Sequence, residues 1–434
     1  MSLPALIEIV PREEPLQARV TVPGSKSITN RALILAALAD GETVLQGALW
    51  SEDTQIMVDG LRALGFQCSV AADPREPCNR TISVRGLSGV IPRAGTRDKP
   101  LLIHVGNAGT AARFLAALVC LGKGVFRLEG VPRMHERPQA ALFQALRELG
   151  YQVSSTNEKL PAVIHGNGPQ PGQCRVSIEK SSQFASALIL CAAKAGWQVS
   201  VTGENAAEAP YVKLTERLVA AFPPRGGVFT IEPDASSASY FWGIDRLLSM
   251  SQPAGTSVVR IDQWPDSGLQ IDQRFPELVG GGHSLTFPPS ISRENALGDS
   301  IMTAIVLAPF ASTPVTFTEL HRLRLQECER VQALRVELTK CGGKVVEDGE
   351  SLTVSPSRLH GAEIETYDDH RMAMCFAILG LKVPEISLKN PSCVKKTFPN
   401  FFQKLASLPP HGLGITILEG NSGRPLVPQQ LFAE

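Results

Sequence analysis

The sequence predicts an α/β protein built from two domains. Three observations lead there. The chain has 434 residues, more than a single hydrophobic core usually serves. An Ala- and Leu-rich helical run of similar make recurs six times along it. Between these runs lie short β-like segments and a second, amphipathic kind of helix, in an order that repeats.

The first run is "PGSKSITNRALILAALADG", residues 23–41. Its relatives begin at Asn107, Ser181, Asp234, Gly298 and Asp368. Each opens on small or polar residues suited to capping, continues with apolar residues on nearly every face, and stops at a breaker. A β-like piece such as "FRLEG" or "VTFTEL" follows. A helix that is apolar all round is a buried helix. The second kind, "SEDTQIMVDGLRALG", "ERPQAALFQALRELG" and "ECERVQALRVELTKCGG", starts acidic and ends near Lys, Arg or Gly, as the helix dipole and C-terminal capping favour. Strand-like "FQCSVAA", "YQVSST" and "KVVEDGESLTVSP" come next. The unit reads strand, buried helix, strand, amphipathic helix, strand. Three copies in each of two domains of roughly 200 residues match the usual domain size.

Lys and Arg together number 42, as do Asp and Glu, so the formal net charge is zero. That excludes nucleic-acid or membrane-surface binding that rests on bulk charge, and neither partner is expected. The nine cysteines form no C-x-x-C pair and none lies at metal spacing with His, so no metal is expected. An odd count without a framework fits a reducing compartment. With no signal-peptide pattern at the start and no apolar stretch of transmembrane length, a cytoplasmic location is expected.

The helix starts pose a question. Ser25, Lys26, Ser27 and Arg31 crowd the first turns of the first run, where the dipole is already positive. Free N–H groups and cations together make an anion site; alternatively, Ser25 or Ser27 caps the helix and the cations turn to water. If the polar starts converge, Lys26, Arg31, Arg113 and Arg371 face one anion-binding cleft. Removing Lys26 or Arg371 is then expected to relieve like-charge strain.

Eight stretches carry a resemblance: "PGSKSITNRALILAALADG", "GNAGTAARFLAAL", "GVPRMHERPQAAL", "SSQFASALIL", "DASSASYF", "LQECERVQAL", "YDDHRMAMCFAIL" and "KKTFPNFF". In this order the series resembles that of the 5-enolpyruvylshikimate-3-phosphate synthases. The sister UDP-N-acetylglucosamine enolpyruvyl transferases lack the Asp-His-Arg-Met-Ala-Met string found at residues 369–374. The resemblance implies a two-domain inside-out α/β barrel, each domain three copies of a βαβαββ unit. Residues 22–232 would form the first domain, residues 1–21 and 233–434 the second, with the active site in a cleft between them that closes on substrate. It implies transfer of the enolpyruvyl group of phosphoenolpyruvate to the 5-hydroxyl of shikimate 3-phosphate on the way to chorismate and the aromatic amino acids. No cofactor is implied, and a monomer is expected.

Residue by residue, Lys26, Asp299, Glu327 and Lys396 match the catalytic set. Lys26, Gly109, Arg133, Gln183, Arg330, Arg371 and Lys396 match phosphoenolpyruvate contacts, Gly109 by leaving room for it. Ser27, Arg31, Ser181, Ser182, Gln183, Tyr211 and Asp299 match acceptor contacts. Asp299 is expected to take the hydroxyl proton and Glu327 to serve the methylene carbon. From the residues alone, plainer roles stay open: Glu327 and Arg330 as a helical i,i+3 ion pair, Asp299 and Asp368 as helix caps.

Three acceptor positions depart from the family pattern. Glu208 stands for Ser, Arg322 for Asn and Gln326 for Lys; His135 replaces a common Lys in "RMHERP". A carboxylate beside a phosphate repels it, while Arg322 offers a compensating charge. Two alternatives follow: a paralogue using an unphosphorylated shikimate-like or cyclitol acceptor, or a catalytically weak binding or regulatory protein with the same fold.

Overall fold

Each of the six apolar runs folds as a buried helix: Lys26–Leu38, Gly109–Leu118, Gln183–Ala195, Ala235–Ser249, Ile301–Leu307 and His370–Gly380. In the first, every residue from Ile28 to Leu38 is buried, Thr29, Asn30 and Arg31 included. The amphipathic runs give Glu52–Ala63, Ala140–Glu148 and Arg330–Lys340. The computed structural model describes residues 3–12, 17–203, 209–253, 256–282 and 284–433. It divides into two compact units, Gly24–Glu232 and Met1–Pro23 with Pro233–Glu434. Within each unit the three buried helices pack on one another.

In the unit 24–232, one sheet has the order Gly227–Thr230, Asp40–Leu49, Asn79–Leu87, Cys68–Ala72. A second repeats it as Leu101–His104, Lys123–Glu129, Ala162–Asn167, Gln152–Ser155. In both, the first two strands are parallel and the others antiparallel to their neighbours. A helix must lie between parallel neighbours, because a tight turn cannot join them. Gly172–Ser177 and Trp197–Thr202 form a parallel two-stranded third sheet.

The other unit has the same plan. Ser290–Ser292, Val315–Thr318, Ser351–Ser355 and Lys344–Asp348 make one sheet; Ala362–Ile364, Ile386–Lys389, Leu6–Ile9 and Ile417–Glu419 make another. Ala18–Val20 pairs in parallel with Val259–Ile261 as a third.

Four sheets thus have the full strand set, and two have only the parallel pair. The reasons are local. After the helix Ala209–Ala221 the chain joins the sheet of the first copy through Gly227–Thr230. After Val259–Ile261 it runs through the Pro- and Gly-bearing "WPDSGLQ" into the short turns Ile271–Arg274 and Phe275–Leu278, without the alternation a strand needs.

The repeat is also written in two glycines. Gly86 and Gly166 sit on the third strand in the order of their sheets, each against the end of its buried helix. A Cβ on Gly86 would lie 2.4 Å from the carbonyl oxygens of Ala36 and Ala39; on Gly166 it would lie 2.4 Å from that of Val119 and 2.5 Å from that of Gly122. Backbone cannot step aside, so Gly86→Ala and Gly166→Ala are each expected to destabilise by about 1–3 kcal/mol, read as a lowered Tm. An unchanged Tm in either variant would show that helix and strand separate there easily.

Candidate functional site

In the unit 233–434 the predicted residues form a connected set of charges. Its anchor is Arg330, whose side chain is 1% exposed, against Asp369, which is fully buried. Arg330 Nε donates to Asp369 Oδ2 at 2.6 Å and Nη2 to Oδ1 at 3.1 Å. Nη2 also donates to Glu327 Oε2 at 2.8 Å, and Nη1 to the amide oxygen of Gln326. Glu327 Oε1 in turn lies 3.1 Å from Lys396 Nζ. Burial opposes the Arg330 charge, but the carboxylates of Asp369, Glu327 and Asp299 outweigh it and raise its pKa.

Asp369 also caps the helix His370–Gly380, accepting the N–H of Arg371 at 2.9 Å. One carboxylate therefore fixes Arg330 and the start of the helix that carries Arg371. Arg371 Nη2 lies 2.9 Å from Asp299 Oδ2, and its Nη1 donates to the Tyr240 hydroxyl at 3.4 Å. Burial works against its charge too; Asp299, Tyr240, Asp234 and Asp272 hold its pKa well above the ordinary value.

Asp272, which the sequence reading passed over, brackets Asp299. Its Oδ1 accepts the N–H of Gly298 at 2.7 Å and that of Ser300 at 3.2 Å, plus the Ser300 hydroxyl at 2.6 Å. Its Oδ2 accepts the Ser236 hydroxyl. Burial and then the Asp299 charge push the Asp272 carboxyl up, while the Ser236 and Ser300 hydroxyls and Arg371 pull it back.

The plainer readings change accordingly. Asp299 caps no helix: Ser300 is the N-cap of Ile301–Leu307. Asp368 does not cap either; it has a left-handed backbone, φ 53°, and accepts from the Asn390 amide, while Asp369 does the capping. Glu327 and Arg330 do pair at i,i+3, but Glu327 precedes the helix, whose N-cap is Glu329, and the pair is buried. Gln326 is turned to Arg330. Arg322 is buried on Glu294, Nε to Oε1 3.4 Å. Glu208 lies outside the described residues.

In the unit 24–232 the groups are more dispersed. Lys26 Nζ is 3.2 Å from Asp53 Oδ2, on the first turn of Glu52–Ala63. Ser25 is the N-cap of the first helix but makes no side-chain cap bond. Arg31 is buried: its Nε donates to Thr215 Oγ1 at 2.8 Å, Nη1 to the Ser27 carbonyl at 3.0 Å and Nη2 to Ser186 Oγ at 3.0 Å. Its guanidinium also lies over the Phe114 ring. Arg113 is buried as well, donating to the Pro138 carbonyl at 2.8 Å. A Cβ on Gly109 would sit 2.5 Å from Arg113 Nη1 and 2.7 Å from Arg137 Nη2, so the missing side chain makes room for two guanidinium groups. Gln183 Nε2 donates to Thr110 Oγ1 at 3.4 Å, and Ser181 Oγ accepts the Gln183 N–H at 3.2 Å. Ser182 is the N-cap of Gln183–Ala195, and Tyr211 is half-buried on Ala209–Ala221. Arg133 is half-buried, 2.6 Å from Glu136, and His135 Nε2 accepts the Gly130 N–H.

The crowding of uncompensated cations expected at the helix starts is therefore absent from Lys26 and Arg371. Each has a carboxylate, Asp53 and Asp299, supplied from another segment. All nine cysteines are free. Among the described residues no group of three or more His, Cys, Asp or Glu is placed to hold a metal, and no helix is long and apolar enough to cross a membrane.

Comparison with known proteins bears directly on this arrangement. The family model described as EPSP synthase (3-phosphoshikimate 1-carboxyvinyltransferase) matches residues 10–245 and 287–405. The chain belongs to the EPSP synthase family. The stretch skipped by the EPSP synthase match, 246–286, contains the short-turn segment where the strand set is incomplete. The 3-phosphoshikimate 1-carboxyvinyltransferase of Opitutus terrae is 38% identical, over 94% of this chain and 98% of that protein. That of Trichormus variabilis is 34% identical, over 93% and 98%. Among solved structures, EPSP synthase from Acinetobacter baumannii is 20% identical with a TM-score of 0.69, over 95% of this chain and 99% of that one. The enolpyruvyl transferase NikO from Streptomyces tendae is 17% identical with a TM-score of 0.67, over 96% and 99%. At those identities the two structures share the mixed α/β fold.

Sequence reasoning missed Asp53, Arg137, Asp272, Asp369, Arg293 and Glu294. Asp369 had a signal, a second Asp directly before the His-Arg of "DDHRM"; the others have only their positions in space.

Breaking a buried pair costs about 3–5 kcal/mol, because the remaining charge is uncompensated. Asp369→Asn and Arg371→Ala are both expected to lose stability on that scale in denaturant unfolding. A rise in stability for Arg371→Ala would restore the like-charge-strain reading.

Proposed function

We propose that this protein catalyses transfer of the enolpyruvyl group of phosphoenolpyruvate to the 5-hydroxyl of shikimate 3-phosphate, releasing phosphate. The observation that carries the reading is the joined set Asp299–Arg371 and Lys396–Glu327–Arg330, in a chain of the EPSP synthase family. It places two carboxylates, each beside cations, within one charge network. That is what an addition–elimination with separate proton acceptor and donor needs.

In the addition, the acceptor hydroxyl oxygen bonds to C2 of phosphoenolpyruvate while its proton passes to Asp299 and the C3 methylene gains a proton from Glu327. In the elimination, C3 returns a proton to Glu327, the C2–O bond to phosphate breaks as the proton held by Asp299 passes to the leaving phosphate, and the enol double bond re-forms. Arg330, Arg371 and Lys396 supply charge for the carboxylate and phosphate of phosphoenolpyruvate. Lys26, Gly109, Arg133 and Gln183 serve phosphoenolpyruvate as the resemblance implies. Ser27, Arg31, Ser181, Ser182 and Tyr211 serve the acceptor. The two units are two enolpyruvyl-transferase domains of the inside-out α/β barrel kind. The protein works as a cytoplasmic monomer in the route to chorismate and needs no cofactor.

Arg322 on Glu294 favours a second reading for the acceptor alone. Arg322, the cation that could offset Glu208, is buried on Glu294, which suits an unphosphorylated acceptor.

The test offers shikimate 3-phosphate and shikimate in parallel with phosphoenolpyruvate and follows phosphate release. Turnover with shikimate 3-phosphate is expected, with Asp299→Asn and Lys26→Met each lowering kcat at least a hundredfold in folded protein. Turnover with shikimate alone selects the second reading, and none with either overturns both.

A further inference from the structure

We propose that Arg293 is a positioning residue for Asp299, holding the carboxylate in the orientation from which it accepts the acceptor's proton. This rests on the role given to Asp299 under Proposed function. Arg293 has a buried side chain, and its Nη2 lies 3.4 Å from Asp299 Oδ1. Arg371 takes the other oxygen, Oδ2, at 2.9 Å. One guanidinium on each oxygen, from two separate segments, fixes the plane of the carboxylate as a single partner would not. The shorter contact leaves Oδ2 committed to Arg371. Oδ1, more loosely held, is the oxygen presented to a hydroxyl.

Arg293 is itself firmly mounted. Its N–H donates to the Thr318 carbonyl at 3.1 Å, beside the strand Val315–Thr318. The next residue, Glu294, has a fully buried side chain and pairs with His321 Nε2 at 3.5 Å and Arg322 Nε at 3.4 Å. Ser292 Oγ accepts the N–H of Glu294 at 3.2 Å and of Asn295 at 2.9 Å, and donates to Glu319. The turn 292–295 is thus held to the segment 318–322 through backbone, hydroxyl and ion pair. Arg322, matched in the sequence to an acceptor contact, works here as part of the mount. Asp272, whose Oδ1 binds the amides on either side of Asp299, completes the support from a third direction. A rigid supporting shell is what keeps a reacting group within the narrow geometry that rate requires.

The experiment compares the full-length protein with Arg293→Met, Arg293→Lys and Glu294→Gln, using phosphoenolpyruvate and shikimate 3-phosphate. Arg293→Met is expected to lower kcat about tenfold or more, with the KM for phosphoenolpyruvate within twofold of the unmodified protein. Arg293→Lys is expected to recover part of the loss, and Glu294→Gln to show a smaller loss of the same kind. A folded Arg293→Met variant with unchanged kcat overturns the inference. A crystal structure of Arg293→Met gives a reading independent of activity: the Asp299 carboxylate is expected to rotate about its Arg371 contact, carrying Oδ1 away from its position beside residue 293. If the unmodified protein turns over neither acceptor, the proposed function fails. An unmoved Asp299 carboxylate in the variant would then still overturn the positioning role, and a rotated one would keep it.

Discussion

A guanidinium with almost no access to water, Arg330 on Asp369, is the constraint on which the rest of the unit 233–434 depends. Arg330 cannot shed its proton, so its burial is tolerable only with a carboxylate in bidentate contact. The chain provides that carboxylate at the N-cap of the next buried helix. Helix start and ion pair thereby become one object. Arg371 sits two residues on, Glu327 three residues back, and Lys396 reaches Glu327 from a turn after the last parallel strand. None of these groups has an independent position; each is located by the charge it neutralises.

The same logic shows what a sequence can reveal of such a protein. The buried helices were legible because an apolar run with polar residues only in its first turn has one stable fate. The strands followed from their alternation with those helices; their parallel pairing was not read from it. The helix starts were legible as charged but misjudged as strained, because the compensating carboxylates come from elsewhere. Asp53 looked like ordinary dipole chemistry on an acidic first turn, and Asp299 resembled a cap. Nothing in the linear order relates Arg293 to the loop it braces, since the partner segment 318–322 is brought alongside by a parallel pairing of strands. The segment after Val259–Ile261 shows the converse: Gly and Pro announced the loss of strands, yet the repeat pattern invited completing them.

Gly109 shows how one missing side chain can have two readings. Its missing Cβ was read as space for a ligand. The space borders two arginine side chains, Arg113 and Arg137, from the same unit. Space for protein and space for ligand are competing uses of one volume, and only coordinates distinguish them.

The mixed parentage of one sheet bears on how the chain comes into being. Leu6–Ile9 lies between Ile386–Lys389 and Ile417–Glu419, with Leu6 facing Lys389 and Ile7 facing Glu419. Leu6–Ile9 therefore has neither of these neighbours until residues 386–419 are made. The unit 24–232, by contrast, is continuous, and its strand Gly227–Thr230 joins Asp40–Leu49 as soon as it emerges. Synthesis from the N-terminus thus imposes a schedule: the inserted unit has all its residues first, while Leu6–Ile9 stays unpaired and exposed to proteases and to stray strand edges. The sheet can close only when residues 386–419 arrive, so losing them would strip Leu6–Ile9 of both its partners.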